Sequence, residues 1–478
     1  MDRALNASAP VRKSGSPNSG QFSPVQPVRA PAVARRKPVP TFLPPVGSQP
    51  FSPAARASTF HKIGLYCCCG YLFAGYANDL SIRLLGGKAY LSWLFGIGLL
   101  ISFIGCGTAF RGLQSTIGKY WVGFAIGLLF STAFSINKGA SLGVVETYIP
   151  KTLLVYFFCS AFALSLRNVR TLFTANIVCT SAMLLSAVLF GGINEIEGRF
   201  CIPDSLFFGN SNDLALALVC SLGFSLYLIW RDSAFARILG AAEFLLSLYF
   251  MLKTGSRGGF LALAACLTVW LIVSNRRGRL IFLAIPALCS LPLLPSSTLS
   301  RLTEISTSGV SEQDAATGSA AQMSQYERTQ LLKKSIRFAV THPVFGTGPA
   351  TFPDALYFDD VAFGTHTAAL STHNTYTQMA SECGFPVFFL YLAALFGAIG
   401  TNFRIMKRTR NEPGAQGVFT MSVCLLGNLV AYAVSSGFDH VGFSWTLPLL
   451  SGLTVALYLA SHGGDPRWIE AEIAAGNA

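Results

Sequence analysis

Apolar runs long enough to cross a bilayer recur about twelve times between Lys62 and Ala460, and they constrain the fold more than any motif does. Each holds roughly 17 to 23 residues, which as α-helix matches the ~30 Å of hydrocarbon in a membrane. Inside lipid a backbone N–H or C=O finds no water, so such runs must satisfy their hydrogen bonds within each segment. The expected fold is therefore all-α, a polytopic integral membrane protein with about 12 transmembrane helices. Composition agrees, since 52% of residues are hydrophobic and only 12% are charged, far from the balance of a soluble domain.

Charge sets the orientation. The short loops with Arg111 and Lys119, Arg167 and Arg170, Arg231 and Arg237, "NRRGR" (Asn275 to Arg279) and "RIMKRTR" (Arg404 to Arg410) all fall on one side of the expected bundle. By the positive-inside rule that side is cytoplasmic, and both termini face it. Residues 1–60, rich in Pro and Arg, have too little apolar surface to fold alone and read as a disordered cytoplasmic tail without the apolar core of a secretory signal. Helices 1–9 occupy 61–294. A large outer loop with an amphipathic helix and a His-Asn motif fills 295–383, helices 10–12 follow in 384–460, and 461–478 form a second cytoplasmic tail.

The net charge of +13 is accounted for largely by these anchoring residues and the first tail, so it does not point to nucleic acid. Most cysteines, including Cys67 to Cys69, lie inside apolar runs, where a thiol is a small hydrophobe. No metal-ligand spacing is present. Cys201 and Cys383 fall on the outer side, where a disulfide between them is open.

Cations left on the outer side run against the topological bias and are the ones to explain. Arg199 stands in "INEIEGRFCIPDSLFFGNSNDLALAL", Arg257 in "LKTGSRGGFLAL" and Arg328 in "QYERTQLLKKSIRFAVTHPVFGTGPATF". Arg257 begins a helix among small residues, a setting that suits either snorkelling to headgroups or an anion pocket of guanidinium and backbone N–H groups. On a helical wheel Leu331, Leu332, Ile336, Phe338 and Ala339 share one face and Lys333, Lys334 and Arg337 the other, as ordinary surface or headgroup contacts. Arg328 falls on the apolar face. A cation there costs several kcal/mol without a partner, so an anionic partner is expected. Gly346, Gly348 and Pro349 then read as a structural turn that returns the chain towards His373.

His373 has Asn374 beside it and Glu382 nine residues on, just before a membrane span. A neutral imidazole can take a proton from a hydroxyl, so His373 is the candidate general base, with Asn374 and Glu382 in support. Glu195 and Glu197 read as partners of Arg199 or acceptor contacts. Asp359, Asp360 and His366 read as a loop that could form a lid or sugar-binding surface, and Asp439 and His440 as residues of the last outer turn that could face the cavity, structural or substrate-orienting by default.

The segments "GRF", "FGNSNDLA", "TGSRGGFLAL", "ERTQLLKKSIRFAVTHPVFGTGPATF" and "HNTYTQMASECGFPVFFLYL", spread from Gly198 to Leu392, resemble the O-antigen ligase and Wzy-type polysaccharide polymerase superfamily. The resemblance implies a GT-C-like bacterial inner-membrane glycosyltransferase with a large periplasmic loop between helices 9 and 10. It would move a glycan from an undecaprenyl-diphosphate donor to a hydroxyl of lipid A-core or of a growing polysaccharide, without cofactor or metal. It assigns the diphosphate to Arg199, Arg257 and Arg328 and the base role to His373. Ser211, where the family often has Pro between two Asn residues, and the long spacing after Arg199 depart from the pattern.

The chemistry is independently coherent, because a lipid diphosphate is an activated leaving group whose departing charge arginines can receive. Attack by the acceptor at the anomeric carbon would invert it, and no spare carboxylate pair suggests a covalent intermediate. The rival class is a transporter or flippase of a lipid-linked glycan, which predicts ionisable or Gly/Pro-broken positions at mid-membrane in two related halves. Here the ionisable groups gather at one face. Ligase and polymerase are not separated by the sequence.

Overall fold

A computed structural model describes residues 58–84, 91–194, 199–231, 233–273, 320–363 and 370–476. The helices in order are α1 (Thr59–Tyr76), α2 (Asn78–Leu84), α3 (Leu91–Gly105), α4 (Thr116–Ala133), α5 (Lys138–Tyr148), α6 (Leu154–Phe162), α7 (Leu166–Phe190), α8 (Ser211–Ile229), α9 (Ala234–Lys253) and α10 (Arg257–Val273). They continue with α11 (Ala320–Thr341), α12 (Phe352–Phe363), α13 (Thr375–Thr409), α14 (Gln416–Ser435), α15 (Thr446–Ala460) and α16 (Pro466–Ala474). A small antiparallel pair, β1 (Gly192–Asn194) and β2 (Arg199–Cys201), joins α7 to α8, with Ile193 opposite Phe200.

Six helical stretches among the described residues are long and apolar enough to cross a membrane: Lys138–Phe162, Leu166–Phe190, Ser211–Ile229, Ala234–Lys253, Thr375–Thr409 and Pro413–Ser435. Leu91–Gly105, Arg257–Val273 and Thr446–Ala460 are shorter apolar helices. The fold is thus mostly helical and polytopic. The expected ninth span (Arg279 to Leu294), the first tail, Glu195, Glu197 and His366 lie outside the described residues.

The core forms where α13 packs on α4, α14 and α15, while α14 also packs on α8 and α10. Large aromatic side chains fill it, and their polar ends find partners, as buried Tyr and Trp require. Trp121 Nε1 donates to Ser451 Oγ at 3.0 Å, Trp270 Nε1 to the Val423 carbonyl at 3.1 Å, and the hydroxyls of Tyr391 and Tyr432 lie 2.6 Å apart. On the outside, Trp93, Leu94, Ile97, Ile101 and Ile104 of α3 are exposed, as lipid-facing side chains are. The cation-rich ends also gather. Arg111 donates to the Ala163 carbonyl and Arg408 to that of Gly463, next to α16.

One crossing orders the opposite end. Gly384 interrupts α13 with φ +79°, and Pro386 follows, where a new helix can start without its N–H. Against this break lies the chain leaving α11. Thr347 N donates to the Ser381 carbonyl, Gly348 N to that of Glu382 and Phe385 N to that of Pro343, each at 2.8 Å. The approach is so close that a Cβ on Gly384 would sit 2.3 Å from the Val344 oxygen, and one on Gly346 (φ +69°) 2.3 Å from the Glu382 backbone. The glycines expected to make a turn therefore also permit two backbones to touch.

Two expectations are corrected here, and one open point is answered. The packed face of α11 consists of Leu331, Ser335, Phe338 and Ala339, while Leu332 and Ile336 are exposed; apolarity alone did not say which side meets protein and which meets the surroundings. Asp359 and Asp360 are helical, on α12, and not in a loop. Cys201 and Cys383 form no disulfide; both are buried, one on β2 and the other in the first part of α13.

Gly384→Ala is expected to destabilise the protein by at least 1–3 kcal/mol, the scale of a strained backbone conformation, plus the clash with Val344. Gly400→Ala, where a Cβ meets nothing within 4 Å, serves as the control. Thermal unfolding of both in detergent checks this: equal melting temperatures would refute the crossing.

Candidate functional site

Asn212 is the junction on which Arg199 depends. Asn210 caps α8 by accepting from Asn212 N at 2.8 Å, a usual first-turn device. The Asn212 side-chain oxygen then accepts from Arg199 Nη2 at 2.6 Å and from Ser256 Oγ at 2.9 Å. Arg199 Nε donates to the Thr254 carbonyl at 2.9 Å, and its side chain is buried. Ser256 Oγ also accepts from Gly259 N at 3.2 Å and caps α10. Arg199 and the start of α10 are thereby one unit. Arg257 itself is half-buried and, among the described residues, has no hydrogen-bond or ion-pair partner.

His373 is placed by a second set of bonds. Asn374 caps α13, its side-chain oxygen accepting from Tyr376 N and Thr377 N at 3.0 and 3.1 Å, while its amide donates to the Gly437 carbonyl at 3.0 Å. Thr375 N donates to the Ser436 carbonyl and Thr375 Oγ1 to that of Asp439, and Val441 N and Gly442 N bond Thr375 and Gln378 in return. The turn 436–442 is thus stitched to the start of α13. It also abuts α10, since a Cβ on Gly258 would meet Phe438 at 2.6 Å. His373 takes φ +49°, a sparsely populated conformation held by these bonds.

The electrostatics follow from what faces each ring. Burial pushes the His373 imidazole down to about 4, with Arg328, His440 and Arg199 adding to the fall and Asp439 opposing it. Arg328 and Arg199 therefore both act on His373. Burial also works against a charge on His440, but Asp439, Asp213 and Glu382 outweigh it and raise that imidazole above its ordinary value. His440 Nδ1 lies 3.4 Å from Asp439 Oδ1, an ion-pair distance without hydrogen-bond geometry, and the two imidazole rings stand perpendicular with centroids 5.3 Å apart. One ligand atom from each of His373, Asp439 and His440 falls within 4.8 Å of the others, close enough to share a metal ion. The two arginines acting on His373 oppose a cation there.

Of the sequence candidates, the structure brings Arg199, Arg328, His373 and Asn374 together, and places Arg257 next to the turn that carries Asp439. Glu382, 2% exposed, serves the fold. Its carboxylate accepts from Ala350 N at 3.0 Å, Phe352 N at 3.3 Å and Gln378 Nε2 at 3.4 Å, which fixes the start of α12. Lys334 and Arg337 are not ordinary surface cations: Lys334 pairs with Asp359 and Asp360, and Arg337 with Asp359, which ties α11 to α12. Sequence reasoning passes over Asn212 and Asp213 and gives Asp439 and His440 a structural or substrate-orienting role. The run Asn210-Ser211-Asn212-Asp213 before a membrane span was an available signal, since one cap uses only one of those polar side chains.

Residues 242–392 match the family model described as O-antigen ligase (Wzy_C). The match takes in Arg257, Arg328, His373 and Glu382, and leaves Arg199, Asp439 and His440 outside it. Comparison with curated proteins gives no match.

Removing the Glu382 carboxylate leaves the Ala350 and Phe352 N–H groups without their acceptor, so Glu382→Ala is expected to cost about 1–3 kcal/mol or more in thermal or denaturant unfolding. A loss below a few tenths would contradict the capping role. For His373, between pH 6.5 and about 4 the unfolded chain binds a proton that the folded protein does not. Its contribution to stability is then complete above pH 6.5 and falls away as the pH drops towards about 4. Wild type is expected to lose more stability than His373→Gln between pH 7 and 5; parallel curves would mean that the imidazole is not depressed.

Proposed function

We propose, with an O-antigen ligase domain over residues 242–392 as the premise, that this membrane protein transfers a glycan from undecaprenyl diphosphate to an acceptor hydroxyl. The reaction would occur at the periplasmic face of a bacterial inner membrane, with both termini cytoplasmic. The observation that carries this reading is a histidine acted on by Arg328 and Arg199, with a further arginine, Arg257, that begins α10 where Gly258 meets the turn carrying Asp439. Cations at an apolar boundary call for an anion, and a diphosphate suits their forks.

In this reading Arg257, Arg328 and Arg199 receive the diphosphate, and His373 takes the proton of the attacking hydroxyl. The acceptor oxygen bonds the anomeric carbon as the bond to the diphosphate oxygen breaks, and the diphosphate leaves with that electron pair. Configuration at the anomeric carbon inverts. Neither a nucleotide sugar nor a metal is required, because the leaving group is already activated and its charge meets preorganised guanidinium groups. The His373 depression has a use here: burial, with the arginines adding to it, holds the ring neutral. A bound diphosphate offsets their charge, so the same ring becomes a better base once the donor is present. Asn374 holds the ring's backbone, and Glu382 holds the loop that follows α11. The positive-inside bias supports the assignment of sides.

The test is transfer by purified protein in lipid, with a polyprenyl-diphosphate glycan and either lipid A-core or repeat-unit acceptors. His373→Ala is expected to lower turnover by roughly 10²–10⁴-fold, and Arg257→Ala by about 10²–10³-fold, with Arg257→Lys in between. Product on lipid A-core identifies a ligase and longer chains on the carrier a polymerase. Donor that crosses the bilayer unchanged, with no product, would overturn the reading in favour of a flippase.

A further inference from the structure

Beside the assigned residues, Asp213, Asp439 and His440 gather from α8 and from the turn between α14 and α15. Nδ1 of His373 has no hydrogen-bond partner among the described residues, and Nδ1 of His440 has Asp439 Oδ1 at 3.4 Å, an ion-pair distance. Asp439, whose side chain is 1% exposed, also lies against Asp213. Buried polar atoms are nearly always satisfied, so the imidazole nitrogens are the atoms to explain.

The charges around the two imidazoles are of opposite kind. His373 is acted on by Arg328 of α11 and Arg199 of β2, besides His440 and Asp439. His440 is acted on by Asp439 from its own turn, Asp213 from α8 and Glu382 from α13. A proton on His373 sits in the field of Arg328 and Arg199, whereas on His440 it sits against Asp439, with Asp213 and Glu382 also favouring it. The rings are 5.3 Å apart between centroids, a separation that one water or a small ring rotation bridges. His440 keeps 30% side-chain exposure against 1% for Asp439, so the path has an open end.

We infer that the proton taken by His373 leaves through His440, which Asp439 positions, with Asp213 completing the carboxylate side of the relay. This inference rests on the proposed base role of His373. The balance is closed: the acceptor O–H bond breaks, its oxygen bonds the anomeric carbon, and the diphosphate departs with the electron pair of the broken bond. The proton passes from His373 to His440 and then to outer water. His440 and Asp439 act through His373 and are positioning and relay residues, not contacts of the sugar.

The test uses the full-length protein in lipid nanodiscs and compares wild type with His440→Gln, His440→Ala, Asp439→Asn and His373→Ala. Turnover is followed against pH and buffer concentration, together with binding of the polyprenyl-diphosphate donor. His440→Gln is expected to lower kcat on the order of tenfold or more near pH 7, with donor affinity unchanged. Its remaining turnover should rise with buffer concentration. Added imidazole should restore activity several-fold in His440→Ala and leave wild type unaffected. Asp439→Asn should move the acidic limb of the kcat profile to lower pH, because a proton on His440 is then less stabilised.

An unchanged kcat profile in His440→Gln overturns the relay. So does a loss that neither buffer nor imidazole relieves and that comes with weaker donor binding or a lower melting temperature, since those are marks of a structural role. Failure of the parent reading looks different: His373→Ala would transfer glycan at the wild-type rate, or wild type would transfer none.

Discussion

The site depends on two backbones that touch. At Gly346 and Gly384 the chain leaving α11 lies directly on the break in α13, joined by three short backbone hydrogen bonds and closed further by Ser131 Oγ, which donates to the Phe345 carbonyl at 2.6 Å. A side chain at either glycine would push the strands apart. The bonds cannot be replaced by water where the segment is buried, so the contact is held at both of its edges. It anchors the C-terminal end of α11, and Arg328, about 20 Å back along that helix at 1.5 Å per residue, is carried to His373. Glu382, pinned within the crossing, fixes the first turn of α12, and α12 returns Asp359 and Asp360 to Lys334 and Arg337 of α11. Rigidity here comes from closure of this loop of contacts.

A second consequence concerns where charge can be kept. A membrane protein holds ionisable groups near apolar surroundings only at considerable cost, and each needs an opposite charge, a hydrogen-bond network or a ligand. The first two are visible here. Lys334 and Arg337 are neutralised by carboxylates of α12. Arg199 is oriented by the Asn212 oxygen and the Thr254 carbonyl. Arg257 has neither kind of partner among the described residues. Arg328 and Arg199 act on His373, while Asp439, Asp213 and Glu382 act on His440.

The mostly helical, polytopic character of the protein was legible in the chain, and so were the candidate residues of the proposed site. Long apolar runs leave helical spans as the solution, and a cation kept on the wrong side of the positive-inside rule is visible without coordinates, as Arg199, Arg257 and Arg328 were. His373 stood out for a similar reason, a titratable ring directly before an apolar run. These signals are local or one-dimensional, and a sequence carries such signals directly.

The partners of those residues were decided only by tertiary structure. Asn212 meets Arg199 across a turn and Ser256 across another helix; His440 comes from 67 positions beyond His373, through a turn sewn to Thr375 and Asn374. Nothing in the spacing of these residues encodes their meeting, because it follows from how α8, α10, α13 and α14 pack. Packing likewise chose Leu331, Phe338 and Ala339 over Leu332 and Ile336 as the inner face of α11, and placed Cys201 and Cys383 without a disulfide between them. The apolar pattern determined by itself that the chain enters a membrane and which charges resist doing so. Which charge acts on which proton was settled by the close approach of backbones, since electrostatic effects depend on distance and burial, and both are properties of the packed fold alone.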